Sequence, residues 1–584
     1  MRPAKSNTVA LLSLANPRWP IAFRAALSLG IPLLLSWLIN GDLSAGLVAT
    51  LGSFTSLYAS DRPYRNRALV LAGIAITFAA AVTAGVAVQG LPHAAVPLVV
   101  GIAMLASFFS ASLKIGPPGA YMIVLACAAA TAMPVTSLPL SHVFLLILAG
   151  GAISWLTHMA GALVAPRGPE RAALVDAANA IAHLLATADE PAREIARHSA
   201  ALALHEMWIA LVNRQPRDVP GDGKITTLRA LGLELHLIFA RCNCSRDGTA
   251  EQDRVRQIAS LACTQTTLDT TMSRLPLGQL RAVERIARDA RFGTRAWNIA
   301  LRVGIAVAIA GSLGEMLGLT RAYWAMAAAT LILHQGLNLQ ASMRRSIDRT
   351  VGTLVGIGLA ALVLVLHPTG LSLIATLMAL QFIVELLVVR KYAVAVIFVT
   401  AIALTIASGG HAIKDPEALL IARGVDTLVG CAVGLLVCAA SNIGGRTRSS
   451  LAAILSLIAC MRPVLGYLQT ATVTSDEALR SRQSLQDKAF LVMIALDMHP
   501  EIESVVMRAQ ELAYLISGAA WLVQMREIEP ARIQRTELQR TDTILAAILT
   551  DPPATLDESV SIELARAAES IEAWLDNDTK RYSS

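Results

Sequence analysis

Arg345, Arg349, Gly352 and Gly356 recur at i, i+4, i+7 and i+11, so a helix through them carries all four on one face. Guanidinium groups grip carboxylates through paired hydrogen bonds and stay charged when partly dehydrated. Glycines one turn apart let a neighbouring helix, or a ligand, approach those charges; close helix packing alone also explains them, here and at Gly430 and Gly434. A looser version of the junction, with Arg62, Arg65 and Arg67 running into an apolar stretch, stands about 280 residues earlier. Arg24 and Arg302 lie more than one turn inside their own apolar runs, and Lys391 and Tyr392 open another. Together these residues read as anion recognition, with snorkelling to lipid headgroups as the competing use of the arginines. Acids inside the apolar runs are few: Glu315, Glu385 and Asp426, all in the second half. Glu385 and Asp426 read as proton carriers. Asp426 also follows Arg423 by one helical turn and reads equally as half of an ion pair. His158 and His334 read as packing residues. Tyr121, Tyr323, Trp324, Phe382, Tyr392 and Phe398 serve either the core or a ligand ring.

The elements that must hold these residues follow from composition. The chain has 584 residues, 55% of them apolar and only 16% charged. A soluble protein averages about 25% charged. Apolar runs form two clusters, near 20–39, 43–60, 67–88, 94–113, 118–135 and 142–165, then near 297–317, 320–338, 348–367, 370–389, 391–408 and 416–441. Each is long enough, at about 17–25 residues, to cross a bilayer as a helix. The segments 167–296 and 442–584 are charged and amphipathic; in Ala173–Glu190 apolar residues recur at 174, 175, 178, 181, 184 and 185. No alternating strand pattern of useful length occurs. The expected fold is therefore an all-α polytopic membrane protein: a six-span repeat (1–166), a cytoplasmic helical domain (167–296), a second six-span repeat (297–441) and a second cytoplasmic helical domain (442–584). The seven cysteines show no CxxC pair and no zinc-ligand spacing, which points to free thiols and no metal.

Orientation follows from the basic residues. Arg18, Arg62, Arg65, Arg67, Lys114, Arg167, Arg295, Arg344, Arg345, Arg349, Arg390, Lys391, Arg446 and Arg448 fall at one set of junctions, against Arg321 and Lys414 at the other. Positive charge marks the cytoplasmic side, so both termini and both polar segments are expected in the cytoplasm. The run near 20–39 is expected to be an uncleaved first span. An even number of spans gives the halves one orientation, and Arg24 matches Arg302 at a distance of 278 residues.

Four stretches now carry a family likeness. Arg349-Thr-Val-Gly-Thr-Leu-Val-Gly356 resembles the arginine-then-Gly-Thr-x-x-Gly signature of the fusaric acid resistance (FUSC-like) inner-membrane proteins, which include the aromatic acid exporters. Thr320–Thr330, Arg390–Thr400 and Arg423-Gly-Val-Asp-Thr-Leu-Val-Gly430 fit the same likeness. The plant aluminium-activated malate transporters look like distant relatives. The first half departs from the signature: Val70, Leu71 and Ile74 stand where Gly352, Thr353 and Gly356 stand in the second. The resemblance implies export of small organic acids, often aromatic carboxylates, from the bacterial cytoplasm across the inner membrane. In some members a periplasmic adaptor and an outer-membrane channel take part.

No phosphate-binding loop, zinc-protease motif, nucleophile elbow or calcium loop occurs. The expectation is thus a transporter, not an enzyme, without cofactor and without nucleic acid as partner. Its partners are a small organic acid, the lipid bilayer and a second copy of the chain. Export against a gradient without an ATPase motif makes proton coupling the simplest energy source. Arg24, Arg67, Arg302, Arg345, Arg349, Lys391 and Tyr392 are the expected substrate contacts, on a path between the repeats. A passive organic-anion channel and a non-transporting membrane scaffold are the alternatives.

Overall fold

The computed structural model describes residues 18–91, 93–133, 138–215, 223–242, 249–263, 282–319, 321–334, 339–407, 416–442, 446–496, 503–526, 532–553 and 557–580. Thr320, Lys414 and Cys244 lie outside them. All secondary structure among the described residues is helical. In chain order the first helices are α1 (Trp19–Asn40), α2 (Ser44–Ser53), α3 (Tyr64–Ala87), α4 (Ala95–Ser112), α5 (Tyr121–Ala130) and α6 (Leu140–Met159). A polar group follows: α7 (Gly168–Ala186), α8 (Glu190–Trp208), α9 (Gly223–Cys242) and α10 (Thr249–Cys263). After α11 (Ala282–Asp289) come α12 (Arg295–Met316), α13 (Tyr323–Leu333), α14 (Leu339–Leu366), α15 (Gly370–Leu387), α16 (Tyr392–Ala407) and α17 (Pro416–Asn442). The chain ends with α18 (Arg446–Gln469), α19 (Asp476–Leu496), α20 (Glu503–Arg526), α21 (Arg532–Thr550) and α22 (Glu558–Lys580).

Contacts divide the chain into two units, one of residues 13–166 with 280–443 and one of 167–279 with 444–584. The first is a multi-pass membrane unit. Among the described residues nine helices are long and apolar enough to cross a bilayer, and eight of them, α1, α3, α4, α6, α12, α14, α15 and α17, belong here. The four other expected spans are shorter: α2, α5 and α13 have only 10, 10 and 11 residues, and α16 has 16. At 1.5 Å per residue the three shortest rise about 15 Å, half the hydrocarbon thickness. They are tolerable because they touch protein rather than lipid; every residue of α13 is buried.

Neighbours correspond between the halves of this unit. The first helix of each packs on the fourth of the other, α1 on α15 and α12 on α4. Within each half the third helix packs on the fifth and sixth, and the second on the sixth: α3 on α5 and α6, α2 on α6, α14 on α16 and α17, α13 on α17. One continuous apolar cluster runs through both halves, including Leu33, Phe78, Ile147, Trp324, Leu377 and Leu404.

Helix ends and the turns between helices leave backbone carbonyls without helical partners. Side chains take that role. Arg67 donates from Nε to the Ala59 carbonyl (3.1 Å), from Nη2 to Ser60 (2.6 Å) and from Nη1 to His158 (3.2 Å). Arg62 Nη2 donates to the carbonyls of Lys114 (2.8 Å) and Ile115 (3.1 Å), just ahead of α5. Gln89 Nε2 serves Ala130 and Met133 at the other end of α5 (2.5 and 2.8 Å).

The second unit joins the two polar segments. The 3.6 period read in α7 faces inward: Leu174, Ala178, Ile181 and Leu184 are buried, with Val175 and Leu185 half-buried. Its core takes Leu204 and Trp208 from α8, Leu235 from α9, Ile258 from α10 and Trp521 from α20. Trp521 stacks flat on Trp208, with centroids 5.4 Å apart, and Arg197 pairs with Glu511 at 2.7 Å. The ninth apolar helix, within α18, lies in this unit. Ile454, Leu457, Met461, Leu465 and Leu468 bury that helix in the core it shares with α19–α21, so its hydropathy is that of a bundle core. Arg482 is buried 4.4 Å over Trp521 and donates Nη1 to Gln524 Oε1 (2.6 Å) and to the Val473 carbonyl (3.3 Å); burial pushes it down to about 9.

His236, the acceptor at Nδ1 for Trp208 Nε1 (3.3 Å), is pushed down to about 3 by burial, with the Arg482 charge adding to it. It is neutral in the fold, whereas the unfolded chain takes up a proton near the ordinary value of 6.5. Acidification from about pH 6.5 to 3 therefore costs this unit stability. His236→Gln keeps an acceptor for Trp208 and removes that titration. Its expected outcome is a thermal midpoint that falls less steeply than the wild type's across this range, read by tryptophan fluorescence on the detergent-solubilised protein. An unchanged slope would contradict it.

Candidate functional site: two buried guanidinium groups

The helix face read from spacing does turn inward. On α14, Arg349, Gly352, Thr353, Gly356 and Ala360 are buried, with Arg345 half-buried one turn before. On α3 the buried set Arg67, Leu71, Ile74 and Phe78 has the phase of Arg349, Thr353, Gly356 and Ala360. Burial therefore matches Arg67 with Arg349 rather than with Arg345.

The glycines seat this site. A Cβ on Gly352 would overlap the Ala393 carbonyl oxygen, and one on Gly356 would stand 2.7 Å from that of Ile397. The backbone of α16 thus lies directly against α14, which places Tyr392, the first residue of α16, beside Arg349. A Cβ on Gly430 would overlap the Ala325 carbonyl oxygen, and one on Gly434 would meet Ile332 at 3.0 Å. This contact brings the start of α13, and with it Trp324, against α17 and Arg423.

Arg349 and Arg423 are 1% and 2% exposed, among the largest fully buried side chains of the molecule. The Arg349 guanidinium lies 5.2 Å from the Tyr121 ring centroid and within electrostatic reach of the Tyr392 hydroxyl. The Arg423 guanidinium lies 4.7 Å over Trp324 and within electrostatic reach of Arg349, Tyr121, Tyr323 and Asp426. Aromatic faces attract cations but fill no hydrogen bonds to the N–H groups. Nε and Nη2 of Arg349, and Nε and Nη1 of Arg423, are buried without a hydrogen-bond partner. Nε and Nη2 form one edge of a guanidinium, the fork that takes a carboxylate side-on. Both oxygens of fully buried Asp426 also lack a hydrogen-bond partner, so the expected one-turn pair with Arg423 is not hydrogen-bonded.

The other expected site residues are dispersed. Arg345 is near His334 and Tyr392, and its Nη1 is buried without a partner. Arg302 is 9% exposed, and its Nε and Nη2 are likewise unpartnered. In the first half, Arg67 lies 4.5 Å over Tyr64, near Arg24 and His158. There Arg24 is half-buried and donates Nε to its own Pro20 carbonyl (3.1 Å). Glu385 stands 3.9 Å from Arg18. Lys391 is exposed in the turn before α16. Arg423 was legible in the sequence as a partner for Asp426 and within the Arg423–Gly430 stretch, but not as a substrate contact; its seat on an aromatic face comes from a helix about 100 residues away. Arg321, at the junction with few basic residues, lies 5.8 Å from the same Trp324 ring. Cys127, Cys263, Cys431 and Cys460 are free thiols, and no potential metal cluster occurs among the described residues.

Fold and site together define an all-α, multi-pass membrane protein with unpartnered guanidinium groups in its membrane unit. Residues 307–437, which hold Trp324, Arg349, Tyr392, Arg423 and Asp426, match the family model of fusaric acid resistance protein-like sequences. The chain is also similar to the uncharacterized membrane protein YvaC of Bacillus subtilis strain 168, at 27% identity over 463 residues, 72% of each chain. No solved structure matches it significantly.

The two arginines of matching phase should respond oppositely to loss of charge. Arg67→Met orphans three buried carbonyls at about 1–3 kcal/mol each and should lower the thermal midpoint in detergent clearly. Arg349→Met removes a buried charge that serves no carbonyl and should leave the midpoint unchanged or raise it. Equal losses in the two variants would contradict this assignment.

Proposed function

We propose that the protein is an inner-membrane efflux transporter for small organic anions, aromatic carboxylic acids foremost, driven by the proton gradient. The observation that carries the reading is the pair Arg349 and Arg423: two like charges, buried within reach of one another, with four N–H groups unpartnered. Such groups are costly unless an anion completes them. Tyr121, Tyr323, Trp324 and Tyr392 line the same place, and flat π surfaces suit an aromatic acid. The match to fusaric acid resistance protein-like sequences over 307–437 supports the same class. Of the two acids read as proton carriers, Asp426 lies beside the arginine pair with both oxygens lacking a hydrogen-bond partner, whereas Glu385 stands by Arg18, which favours Asp426 as the carrier coupled to the anion. The basic junctions favour cytoplasmic termini and polar segments. We take the corresponding helix neighbours of the two halves as support for a parallel repeat.

Uptake of a panel of aromatic and aliphatic carboxylic acids into inside-out vesicles tests the reading, with and without an uncoupler. The expected outcome is uphill uptake that the uncoupler abolishes and that Arg349→Ala lowers about tenfold or more. Uptake that only follows the substrate gradient would make the protein a channel. No protein-dependent uptake of any acid would overturn both and favour the scaffold alternative.

A further inference from the structure

We propose that the anion crosses through the second half of the membrane unit, passed along Arg345, Arg349, Arg423 and Arg321, while the first half is a scaffold that lends it only Tyr121. This rests on the anion-transport reading and replaces the expected path between the halves with one inside a single half.

The four arginines form a continuous series. Arg345 stands near His334, at the finish of α13, and near Tyr392. Tyr392 is also within electrostatic reach of Arg349, which faces Tyr121. Tyr121 and Arg349 are both within reach of Arg423. Arg423 shares the Trp324 ring with Arg321, and Arg321 Nη1 donates to the Tyr323 hydroxyl (3.4 Å) at the start of α13. The series therefore runs the length of α13, from the residue after its last turn to the residues before its first. That length is about 16 Å at 1.5 Å per residue, half of a bilayer's hydrocarbon. Each cation shares an aromatic side chain with the next, Tyr392, Tyr121 and Trp324 in turn, so no single position need hold the anion with every donor at once.

The first half offers no such series among its described residues. The three guanidinium nitrogens of Arg67 donate to backbone carbonyls, and Arg62 is engaged by the carbonyls before α5. At the phase of Thr353 and Gly356 this half has Leu71 and Ile74. Its contribution is α5, packed on α13, which carries Tyr121 to Arg349 and stacks it on His334 at 6.4 Å. Gly119, two residues before, is held by the Tyr58 hydroxyl donating to its carbonyl (2.7 Å), and a Cβ there would meet the His334 ring at 2.9 Å.

The test is the KM for benzoate, from protein-dependent uptake into inside-out vesicles, beside the thermal midpoint of each variant. Arg423→Gln and Arg321→Gln are each expected to raise KM about tenfold or more, with the midpoint held or raised, because each removes a charge-assisted contact to the anion. Arg65→Gln, an exposed first-half arginine of equal charge, is expected to leave both readings at wild-type values. Should Arg423→Gln fail to fold, Arg423→Lys takes its place: it keeps the charge without the fork and is expected to raise KM several-fold. Wild-type uptake together with wild-type KM in the Arg423 and Arg321 variants would overturn the path alone. Absence of uptake by the wild-type protein would overturn the transport reading and the path with it.

Discussion

A guanidinium at membrane depth must be met by acceptors, by an opposite charge or by a polarisable surface, because neither lipid nor apolar side chains repay its lost hydration. The membrane unit meets this constraint in two ways. Arg67 and Arg62 are absorbed by backbone carbonyls in the turn before α3, in the turn after α4 and near the end of α6, so the charge and the broken backbone satisfy each other. Arg349 and Arg423 rest instead on Tyr121 and Trp324, with donors left over. The same side chain is mortar in one half and an unfilled contact in the other.

The short helices follow from the same constraint. A helix of 10 or 11 residues cannot reach both faces of a bilayer, so it needs full burial by longer neighbours and partners for its terminal carbonyls. Glycines supply the burial in the second half. Where Gly352 and Gly430 meet carbonyl oxygens of α16 and α13, backbones touch, and the first residues of those short helices arrive beside the arginines. Packing and recognition are therefore not rival explanations of the glycines here; the packing is what positions the aromatic faces.

The polar unit handles a buried arginine in a third manner. Arg482 keeps one nitrogen on Gln524 and Val473 and lays its plane over Trp521, which stacks on Trp208 from a segment some 300 residues earlier. Cation, indole and neutral His236 tie the two polar stretches into one core. The apolar helix α18 of this unit is as hydropathic as a span. Burial by its own bundle accounts for that composition.

Amino-acid order alone carries a good deal of this protein. Apolar run lengths separate the membrane helices from the amphipathic ones, because a bilayer sets the length and a soluble core sets the period. The inward phase of Arg349, Gly352 and Gly356 is legible too, since helix geometry is local. Local periodicity could not say that the runs near 43–60, 118–135 and 320–338 fold as helices of 10 or 11 residues, because nothing nearby in sequence reports what surrounds them. Nor could it tell that Arg67 would be spent on carbonyls while Arg349 would keep its fork, or that Arg423 would lie on Trp324. Those outcomes depend on which distant carbonyl or ring arrives at each guanidinium. Only the packing of helices far apart in the chain decides that.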